Sequence, residues 1–304
     1  MKRVLGMLEK TVKFEGPYNF DSVLDRLQMD PLNVVDLEKR LILMPIYVGN
    51  SPLVVTVQAT GNTDFPSFLV SCKSHLDSVV EVVSKYMQWD VPLHLIQDHF
   101  SKTDLREMFE EFRGTPLILD FGLYTCLIRC LIHQQLNMSF AMTLTKRFAE
   151  TYGELVDGVL FFPRPEVVAM LEVEDLRAMQ FSTRKAEYVI DLSRKISSGE
   201  LDLELLRGMT DEEISSRLVK HRGIGLWTVS CFLLFGLGRQ NLFPLADIGI
   251  QNALRIMYGL DRKPTFAQME AYSKDWEPYL SYASLYLWRS IEKKAQKNKK
   301  QTSP

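Results

Sequence analysis

The sequence predicts an α+β protein in which a small antiparallel sheet with a helix precedes a larger helical region. From about residue 41 to 72, apolar and polar residues alternate with the period of two that is typical of strands. Beyond about residue 101, almost every apolar segment repeats with the period of a helix. We therefore expect a mixed α/β unit over residues 1–100, an all-helical unit over 101–290, and a basic, disordered tail over 291–304.

Two neighbouring segments define the first unit. In PLVVTVQAT, turn residues flank a run in which every second residue is apolar, namely Leu53, Val55, Val57 and Ala59. The following segment HLDSVVEVVSKYM changes period and places apolar residues along one helical stripe, formed by Leu76, Val79, Val80, Val83 and Met87. This stripe predicts a helix that covers one face of the sheet.

The segment SFAMTLTKRFAETYG illustrates the helical pattern of the second unit. Ser139 is predicted to cap a helix at its N-terminus, and Gly153 is predicted to end it. Between them, Phe140, Leu144 and Phe148 recur every four residues. The segment is therefore predicted to be one continuous amphipathic helix.

The composition excludes several classes of protein. The 304 residues are 46% hydrophobic and 24% charged, which is typical of a globular chain with more than one packed unit. No apolar run approaches the ~18–20 residues of a membrane span, and the N-terminal sequence lacks a signal peptide, so we expect no membrane partner and a cytoplasmic location. The net charge of −2 argues against a non-specific nucleic-acid coat protein but permits a local basic face.

The four cysteines do not form a C-x-x-C pair, so the sequence predicts neither a structural zinc site nor an iron–sulfur cluster. We interpret all four as core thiols: Cys72, Cys126, Cys130 and Cys231.

A Gly-X-Gly hairpin lies in the segment VKHRGIGLWT, between two helical patterns that together span 210–237. Thr210 and Glu213 fit a capping box, which predicts a first helix that ends at Gly223 and Gly225. A second helix is predicted from about Leu226, because apolar residues then recur at helical spacing at Trp227, Cys231 and Leu234. The arrangement is helix, tight hairpin, helix.

Glycines at 223 and 225 allow main-chain N–H groups at the start of the second helix to approach an anion closely, and a phosphate is the natural occupant. A plain connector between two packed helices fits the hairpin equally well, because one Gly-X-Gly is a weak motif.

Asp247 stands where a loop becomes an amphipathic helix in the segment LFPLADIGIQNALRIMYGL. The carboxylate is therefore predicted to lie at a helix N-terminus. Aspartate is a favoured N-cap residue, so a purely structural role also explains this position when it is taken alone.

The order of a capped helix, HRGIG, an LWT helix, FPLAD and a further helix resembles the helix-hairpin-helix superfamily of DNA glycosylases. Within that superfamily the chain is most similar to the bacterial alkylation-repair branch, 3-methyladenine DNA glycosylase II. The similar stretches cover most of the chain and include GPYNFDSVLDRL, CLIHQQLNMSFAMTLTKRFAETYG, FPRPEVVAMLEVEDLRAMQFSTRKAE and DWEPYLSYASLYLW. The fold of that family, a small α/β domain before a helical core, agrees with the division predicted from periodicity.

The resemblance implies that Asp247 is the catalytic residue. Cleavage of an N-glycosidic bond builds positive charge on the deoxyribose, which an ionised carboxylate stabilises, or the carboxylate orients the attacking water. A base that already carries the positive charge of an alkyl group needs no protonation, so one carboxylate is able to do most of the chemistry.

The resemblance also implies a DNA wedge and a pocket for a base rotated out of the duplex. Leu136 matches the intercalating residue, although a leucine at a helix end is otherwise a core residue. Trp227 and Tyr279 match aromatic pocket positions that suit a cationic base. Phe20 is a further candidate to close the pocket, and weaker candidates are Trp276 and Tyr282.

At the hairpin, the resemblance implies that Gly223, Ile224 and Gly225 bind DNA phosphate. It further implies that the backbone carbonyls of Val219, His221 and Ile224 hold a monovalent cation, with no other cofactor. Two residues depart from the family pattern. Arg222 replaces a common proline and could add a phosphate contact, and Cys231 replaces a pocket aromatic and opens the pocket.

For His133 and His221, surface or core roles are favoured over catalysis, because no acid is paired with either at a useful spacing. Arg184 and Lys185 are interpreted as a solvated helix start rather than a phosphate clamp.

Three functions are compatible with these features. The first is a monofunctional glycosylase for 3-methyladenine-type purines, acting as a monomer on damaged double-stranded DNA. The second is a glycosylase of the same fold for oxidised or deaminated bases. The third is a non-catalytic DNA-binding protein. Asp247 distinguishes the third from the others. Members with lyase activity place a lysine two residues after the second hairpin glycine, where this chain has Trp227, so the resemblance implies no lyase activity.

Overall fold

In the computed structural model, residues 6–302 are described, with side chains as far as residue 292. The N-terminal part contains an antiparallel sheet of five strands in the order β1-β5-β4-β3-β2. The strands are β1 (Leu8–Lys13), β2 (Val34–Asp36), β3 (Leu41–Val48), β4 (Ser51–Ala59) and β5 (Ser67–Cys72).

Alternation along the central strands buries one face of this sheet. Ile42, Met44 and Ile46 of β3 are buried, as are Val55 and Val57 of β4, because successive side chains of a strand point to opposite faces. Helices α1 (Phe20–Leu27) and α2 (Leu76–Met87) belong to the same unit, and the predicted stripe of α2 buries Val79, Val83 and Met87 in the core next to the sheet. The predicted sheet with a covering helix is confirmed.

The remainder of the chain is mainly helical. Its helices are α3 (Leu93–Phe100), α4 (Arg106–Glu111), α5 (Leu123–His133), α6 (Met138–Tyr152), α7 (Pro165–Ala169), α8 (Val173–Ala178), α9 (Thr183–Ser197), α10 (Asp211–Leu218), α11 (Leu226–Cys231), α12 (Ile248–Met257), α13 (Phe266–Ser273) and α14 (Leu280–Thr302). A π-helical turn over Phe232–Gly236 extends α11.

The helical part also contains a β-hairpin, which the prediction of an all-helical unit missed. Strands β6 (Glu154–Val156) and β7 (Val159–Phe161) are joined by Asp157 and Gly158, both at positive φ. Asp-Gly is a favoured pair for such a turn, but strands this short give no periodic signal. The hairpin contacts the first sheet, where the ring of Phe161 packs edge-to-face against Tyr47 at 5.2 Å.

Helix α6 begins before the predicted cap. Its N-cap is Asn137, whose side-chain oxygen accepts the backbone N–H of Phe140 at 2.9 Å, so Ser139 lies inside the helix. The prediction that Ser139 caps this helix is wrong, since asparagine two residues earlier already supplies the acceptor that a helix start requires. The predicted end is confirmed, because Gly153 is the C-cap.

Two apolar cores flank the region where the candidate residues lie. The first core combines the N-terminal sheet with residues of the C-terminal helices, such as Leu254 and Leu287. The second core contains the central helices, with Leu127 of α5 and Ile190 of α9 among its buried residues. The N-terminal sheet therefore packs with residues of α12 and α14, and the central helices form the opposite wall.

The C-terminal helix α14 continues to Thr302, through the segment where the sequence predicts a disordered tail from 291. The side chains beyond Glu292 and the last two residues lie outside the described part of the chain. Within that part, no helix combines the length and the apolar character that a membrane crossing requires.

Candidate active site

The hairpin has the predicted helix-hairpin-helix form. Glu213 Oε2 accepts the N–H of Thr210 at 2.9 Å, and Thr210 Oγ1 accepts the N–H of Glu213 at 3.3 Å, which completes the predicted capping box of α10. Helix α11 begins at Leu226 as predicted, after Gly225 at its N-cap. The first N–H groups of a helix have no partner within it, so the start of α11 presents donors beside the hairpin.

The two hairpin glycines have different physical roles. Gly223 has φ +84°, and a Cβ there would lie 2.3 Å from Cδ2 of Tyr188, so both backbone conformation and space require glycine. Gly225 is exposed and in an extended conformation, and a Cβ there would meet no atom within 4 Å. Gly223 therefore maintains the fold of the hairpin, whereas Gly225 leaves the space outside it open.

Side chains of other helices hold the hairpin in place. Gln134, at the end of α5, donates through Nε2 to the carbonyl of Gly223 and to Oγ1 of Thr228, both at 2.8 Å. Lys185 Nζ donates to the carbonyls of Ile132 and Gln134 at 2.5 and 3.0 Å, which satisfies the C-terminal end of α5. The prediction that Lys185 is a solvated residue at a helix start is wrong, because its ammonium group is bonded to two carbonyls of another segment. The roles of Gln134 and Lys185 as braces were not predictable from local pattern.

Arg222 is an exposed residue that pairs with acidic residues of α9. Its guanidinium pairs with Glu187 at 2.7 Å and Asp191 at 3.3 Å, and it lies over the ring of Tyr188. Two ion pairs therefore direct the guanidinium toward α9, and the phosphate contact of Arg222 stays a prediction.

Asp247 is the N-cap of α12, as predicted. Its Oδ1 accepts the backbone N–H of Ile250 and the indole Nε1–H of Trp288, both at 2.8 Å. Within the described part of the chain, the side-chain hydrogen bonds that this carboxylate accepts both fall on Oδ1. The half-buried carboxylate is thus held in one orientation by a helix start and an aromatic donor.

Trp288 is a site residue that the sequence reasoning missed. It lies in α14, 41 residues from Asp247, and its ring stacks on Phe235 with centroids 5.9 Å apart. Gly249 allows this approach, because a Cβ there would lie 3.0 Å from both Trp288 Cδ1 and Asp247 Oδ1. The only sequence signal was an aromatic residue at the end of DWEPYLSYASLYLW, where a core role is the usual interpretation.

A cavity of about 2120 Å³ opens between the two cores. Leu136, Trp227 and Cys231 line it, and so do Met29 and Asp30 from the loop between α1 and β2. Trp227 and Cys231 are one turn apart on α11 and share the face that borders the cavity. One cavity is therefore lined by the predicted wedge Leu136, by the predicted pocket aromatic Trp227, and by Cys231, which stands where the family has another pocket aromatic.

The other predicted aromatic residues do not line this cavity. Phe20 is only 2% exposed and packs edge-to-face on Phe68 in the core of the first sheet, so its prediction as a pocket residue is not supported. Tyr279 is half-buried and packs against His99 of α3 at 5.3 Å, away from Trp227. Trp276 and Tyr282 are fully buried core residues. Apolar burial explains the positions of Phe20, Trp276 and Tyr282, whereas Tyr279 keeps a partly exposed ring.

The tip between α5 and α6 presents Gln135 rather than Leu136. Gln135 is exposed and has φ +57°, an uncommon conformation for a residue other than glycine. Leu136 is half-buried and packs against the central core. The sharp turn at Gln135 therefore determines which side chain protrudes.

Three of the cysteines and His133 are neutral groups beside the cavity. A hydrogen bond with Cys130 is the largest cause that raises the pKa of the Cys231 thiol, followed by burial and by nearby charges that include Asp247 and Asp120. The hydrogen bond with Cys130 is the largest influence on the Cys126 thiol and lowers its pKa, but burial together with the charge and hydrogen bond of Asp120 outweighs it and raises the pKa to about 11. Burial and then Arg129 lower the pKa of His133 to about 4, so its imidazole is uncharged near neutral pH.

Comparisons with known proteins agree with this geometry. A profile of the HhH-GPD superfamily, described as base excision DNA repair proteins, matches residues 128–278. A Bacillus subtilis (strain 168) protein named "Putative DNA-3-methyladenine glycosylase YfjP" is 53% identical over 94% of this chain and 100% of its own length. A 3-methyladenine DNA glycosylase from Archaeoglobus fulgidus has the same fold, with a TM-score of 0.81 at 20% identity over 92% of this chain and 97% of that one.

A further solved relative is bound to nucleic acid. The Schizosaccharomyces pombe 3-methyladenine DNA glycosylase in complex with abasic DNA has a TM-score of 0.56 and 27% identity, over 65% of this chain and 96% of its own. The matched superfamily region contains the hairpin, Asp247 and the two residues of α11 that line the cavity, Trp227 and Cys231. The chain belongs to the HhH-GPD superfamily of base excision DNA repair proteins, as a DNA-binding glycosylase of its alkylation-repair branch.

Proposed function

We propose that this glycosylase releases alkylated purines of the 3-methyladenine type from double-stranded DNA by hydrolysis, after the damaged nucleotide has rotated out of the duplex. The observation that carries the proposal is the anchored carboxylate of Asp247, with one oxygen held by Ile250 and Trp288. The ring of Trp288 stacks on Phe235, which lines the same cavity as Trp227. An electron-rich indole at a pocket wall favours a base that carries positive charge.

Asp247 supplies the charge that the reaction needs. As the glycosidic bond lengthens, positive charge develops on the deoxyribose, and a fixed negative group stabilises it without reorganisation during the reaction. Because Oδ1 is already hydrogen-bonded twice, Oδ2 is the oxygen that faces the sugar or the attacking water. The orientation of the carboxylate is set before the substrate arrives.

The hairpin is proposed to grip the DNA backbone next to the lesion. Main-chain donors at Gly223, Ile224 and Gly225 precede the start of α11, where a helix favours an anion. The side chain of Ile224 is buried and its N–H donates to the carbonyl of His221 at 3.1 Å, so the N–H groups of Gly223 and Gly225 are the main donors proposed for this contact. Backbone contacts of this kind position the enzyme on DNA without reading sequence.

A monovalent cation held by the carbonyls of Val219, His221 and Ile224 fits the hairpin. The carbonyl of His221 accepts the N–H of Ile224 at 3.1 Å, so two of the three residues lie in one tight turn. Val219 is the C-cap of α10, where helix carbonyls lack partners within the helix. When bound, such an ion offsets the charge of the phosphate.

The wedge is proposed to be the tip formed by Gln135 and Leu136, with Gln135 entering the base stack and Leu136 supporting it. We expect Gln135→Ala to lower the single-turnover release rate by about tenfold without a change in melting temperature, since unstacking a base costs a few kcal/mol. Leu136→Ala should also lower the melting temperature, because Leu136 packs against the central core. Release rates and thermal denaturation of both variants distinguish these roles. A wild-type rate for Gln135→Ala would exclude this residue as the wedge.

The enzyme is proposed to act as a monomer and to stop at the abasic site. Trp227 stands where an amine nucleophile would be needed, and no lysine lies between Lys220 and Asp247. We therefore expect no covalent protein–DNA adduct when borohydride is added during turnover, and no strand cleavage without heat or base. Gel electrophoresis of labelled DNA measures both, and either product would favour the alternative of a glycosylase for oxidised bases.

Release of methylated purines from alkylated duplex DNA is the direct test of the proposed function. Chromatography of the ethanol-soluble fraction identifies the bases set free by the purified protein. A protein that binds this DNA but releases no methylated purine would refute the proposal.

A further inference from the structure

One buried ion-pair network borders the inner part of the cavity. Arg129 of α5 pairs through Nη2 with Asp30 Oδ2 at 2.5 Å, and its Nη1 lies 3.7 Å from Asp120 Oδ1. All three residues line the cavity. Burial is the largest influence on Arg129 and would lower its pKa, but the charges of Asp120 and Asp30 more than offset it and raise the pKa.

The network carries an excess of negative charge. One guanidinium faces two carboxylates, so the formal sum of these three groups is one negative charge. The neighbouring His133 adds no positive charge near neutral pH, because burial and Arg129 lower its pKa to about 4. An excess negative charge with little access to water attracts a positively charged ligand more strongly than a surface charge does.

The two carboxylates differ in their access to the cavity. The side chain of Asp30 is 8% exposed, whereas that of Asp120 is 26% exposed. Asp30 also accepts the N–H of Leu32 at 3.0 Å, which fixes its own loop. Asp120 is therefore the carboxylate of this network that a ligand can reach.

Asp120 lines the same cavity as Trp227 and Cys231. Its backbone N–H donates to the carbonyl of Phe235 at 2.8 Å, in the π-helical turn that follows Cys231, and Phe235 also lines the cavity. The ring of Phe235 stacks on Trp288, whose indole N–H holds the carboxylate of Asp247. The turn at the end of α11 therefore connects Asp120 with Asp247, on the cavity wall that Trp227 shares.

We propose that Asp120 determines the base specificity of this site, by accepting an N–H group of a positively charged purine, with Arg129 and Asp30 fixing its position. The inference rests on the proposed glycosylase function and names its substrate class as cationic purines with an amino group on the ring edge. It also gives the N-terminal unit a role in the site, because Asp30 belongs to that unit and holds Arg129.

Asp120→Asn is the variant that tests the charge, because asparagine keeps an acceptor oxygen of similar size. Single-turnover release of 7-methylguanine from a duplex is expected to fall by at least about tenfold. Affinity for the same duplex with a tetrahydrofuran abasic analogue should stay within about twofold, because that DNA has no base for Asp120 to contact. Asp120→Glu restores the charge and is expected to recover part of the rate.

Asp36→Asn is the matched control, since it removes the charge of an aspartate outside this network and is expected to leave 7-methylguanine release unchanged. Asp30→Asn removes the shorter and more buried partner of Arg129, so it is expected to lower the melting temperature more than Asp120→Asn does and to lower 7-methylguanine release through a misplaced Asp120. The assignment is overturned if Asp120→Asn releases 7-methylguanine at the wild-type rate, or if it loses affinity for abasic DNA in parallel with the rate. If the wild-type protein releases no methylated purine, the proposed function itself fails, and this assignment fails with it.

Discussion

Asp247→Asn lowers the single-turnover release of methylated purines by about 10²–10⁴-fold, which is the expected result of removing the charge that stabilises the transition state. The fold should be unaffected, because asparagine caps helices as well as aspartate does and can accept the same hydrogen bonds from Ile250 and Trp288. DNA affinity should stay close to that of the wild type. Release rates and fluorescence anisotropy on the same duplex measure both quantities.

Two control variants make this result specific. Asp36→Asn changes another aspartate that accepts a nearby backbone N–H, here that of Lys39 at 2.9 Å, and should leave the release rate unchanged. Trp288→Phe keeps an aromatic ring but removes the N–H donor, so it should lower the rate by about tenfold without removing the negative charge. If Asp247→Asn turned over like the wild type, Asp247 would be only a helix cap.

Local patterns predicted those parts of the site that depend on a few neighbouring residues. The capping box of Thr210 and Glu213 and the cap at Asp247 each involve groups three residues apart, so the sequence reports them directly. The buried stripe of α2 follows from helical periodicity in the same way. The order of these elements was sufficient to indicate the family.

Contacts between distant segments were not predictable in this way. Trp288 reaches Asp247 from another helix, and Asp30 reaches Arg129 from the N-terminal unit. Conversely, Phe20 and Tyr279 were expected in the pocket because their residue types suit it, but tertiary packing uses both elsewhere. Aromatic residues serve cores and pockets equally well, so residue type alone does not decide between them.

Gly225→Val, at the hairpin, is expected to have the second large effect, which is a loss of DNA affinity. A Cβ at this position meets no protein atom within 4 Å, and the backbone there has φ −106°, so valine is tolerated by the fold. Its branched side chain would occupy the space where a phosphate approaches the start of α11. Loss of hydrogen bonds to a charged group costs about 1.5–3 kcal/mol, or roughly a tenfold to hundredfold weaker affinity. In anisotropy titrations, the affinities for undamaged and abasic duplexes should fall by the same factor, because phosphate contacts do not depend on the base.

Gly223→Ala is the contrasting variant. It changes the other glycine of the Gly-X-Gly motif, but it is expected to destabilise the protein, whereas Gly225→Val is not. Alanine at φ +84°, with its Cβ 2.3 Å from the ring of Tyr188, strains the hairpin itself, so the melting temperature should fall together with DNA affinity. Gly225→Val should instead retain a melting temperature within a few degrees of the wild type, since replacing an N-cap glycine with a β-branched residue costs about 1 kcal/mol. Unchanged dissociation constants for both duplexes in a folded Gly225→Val protein would mean that this hairpin is a connector between two helices and that DNA is gripped elsewhere.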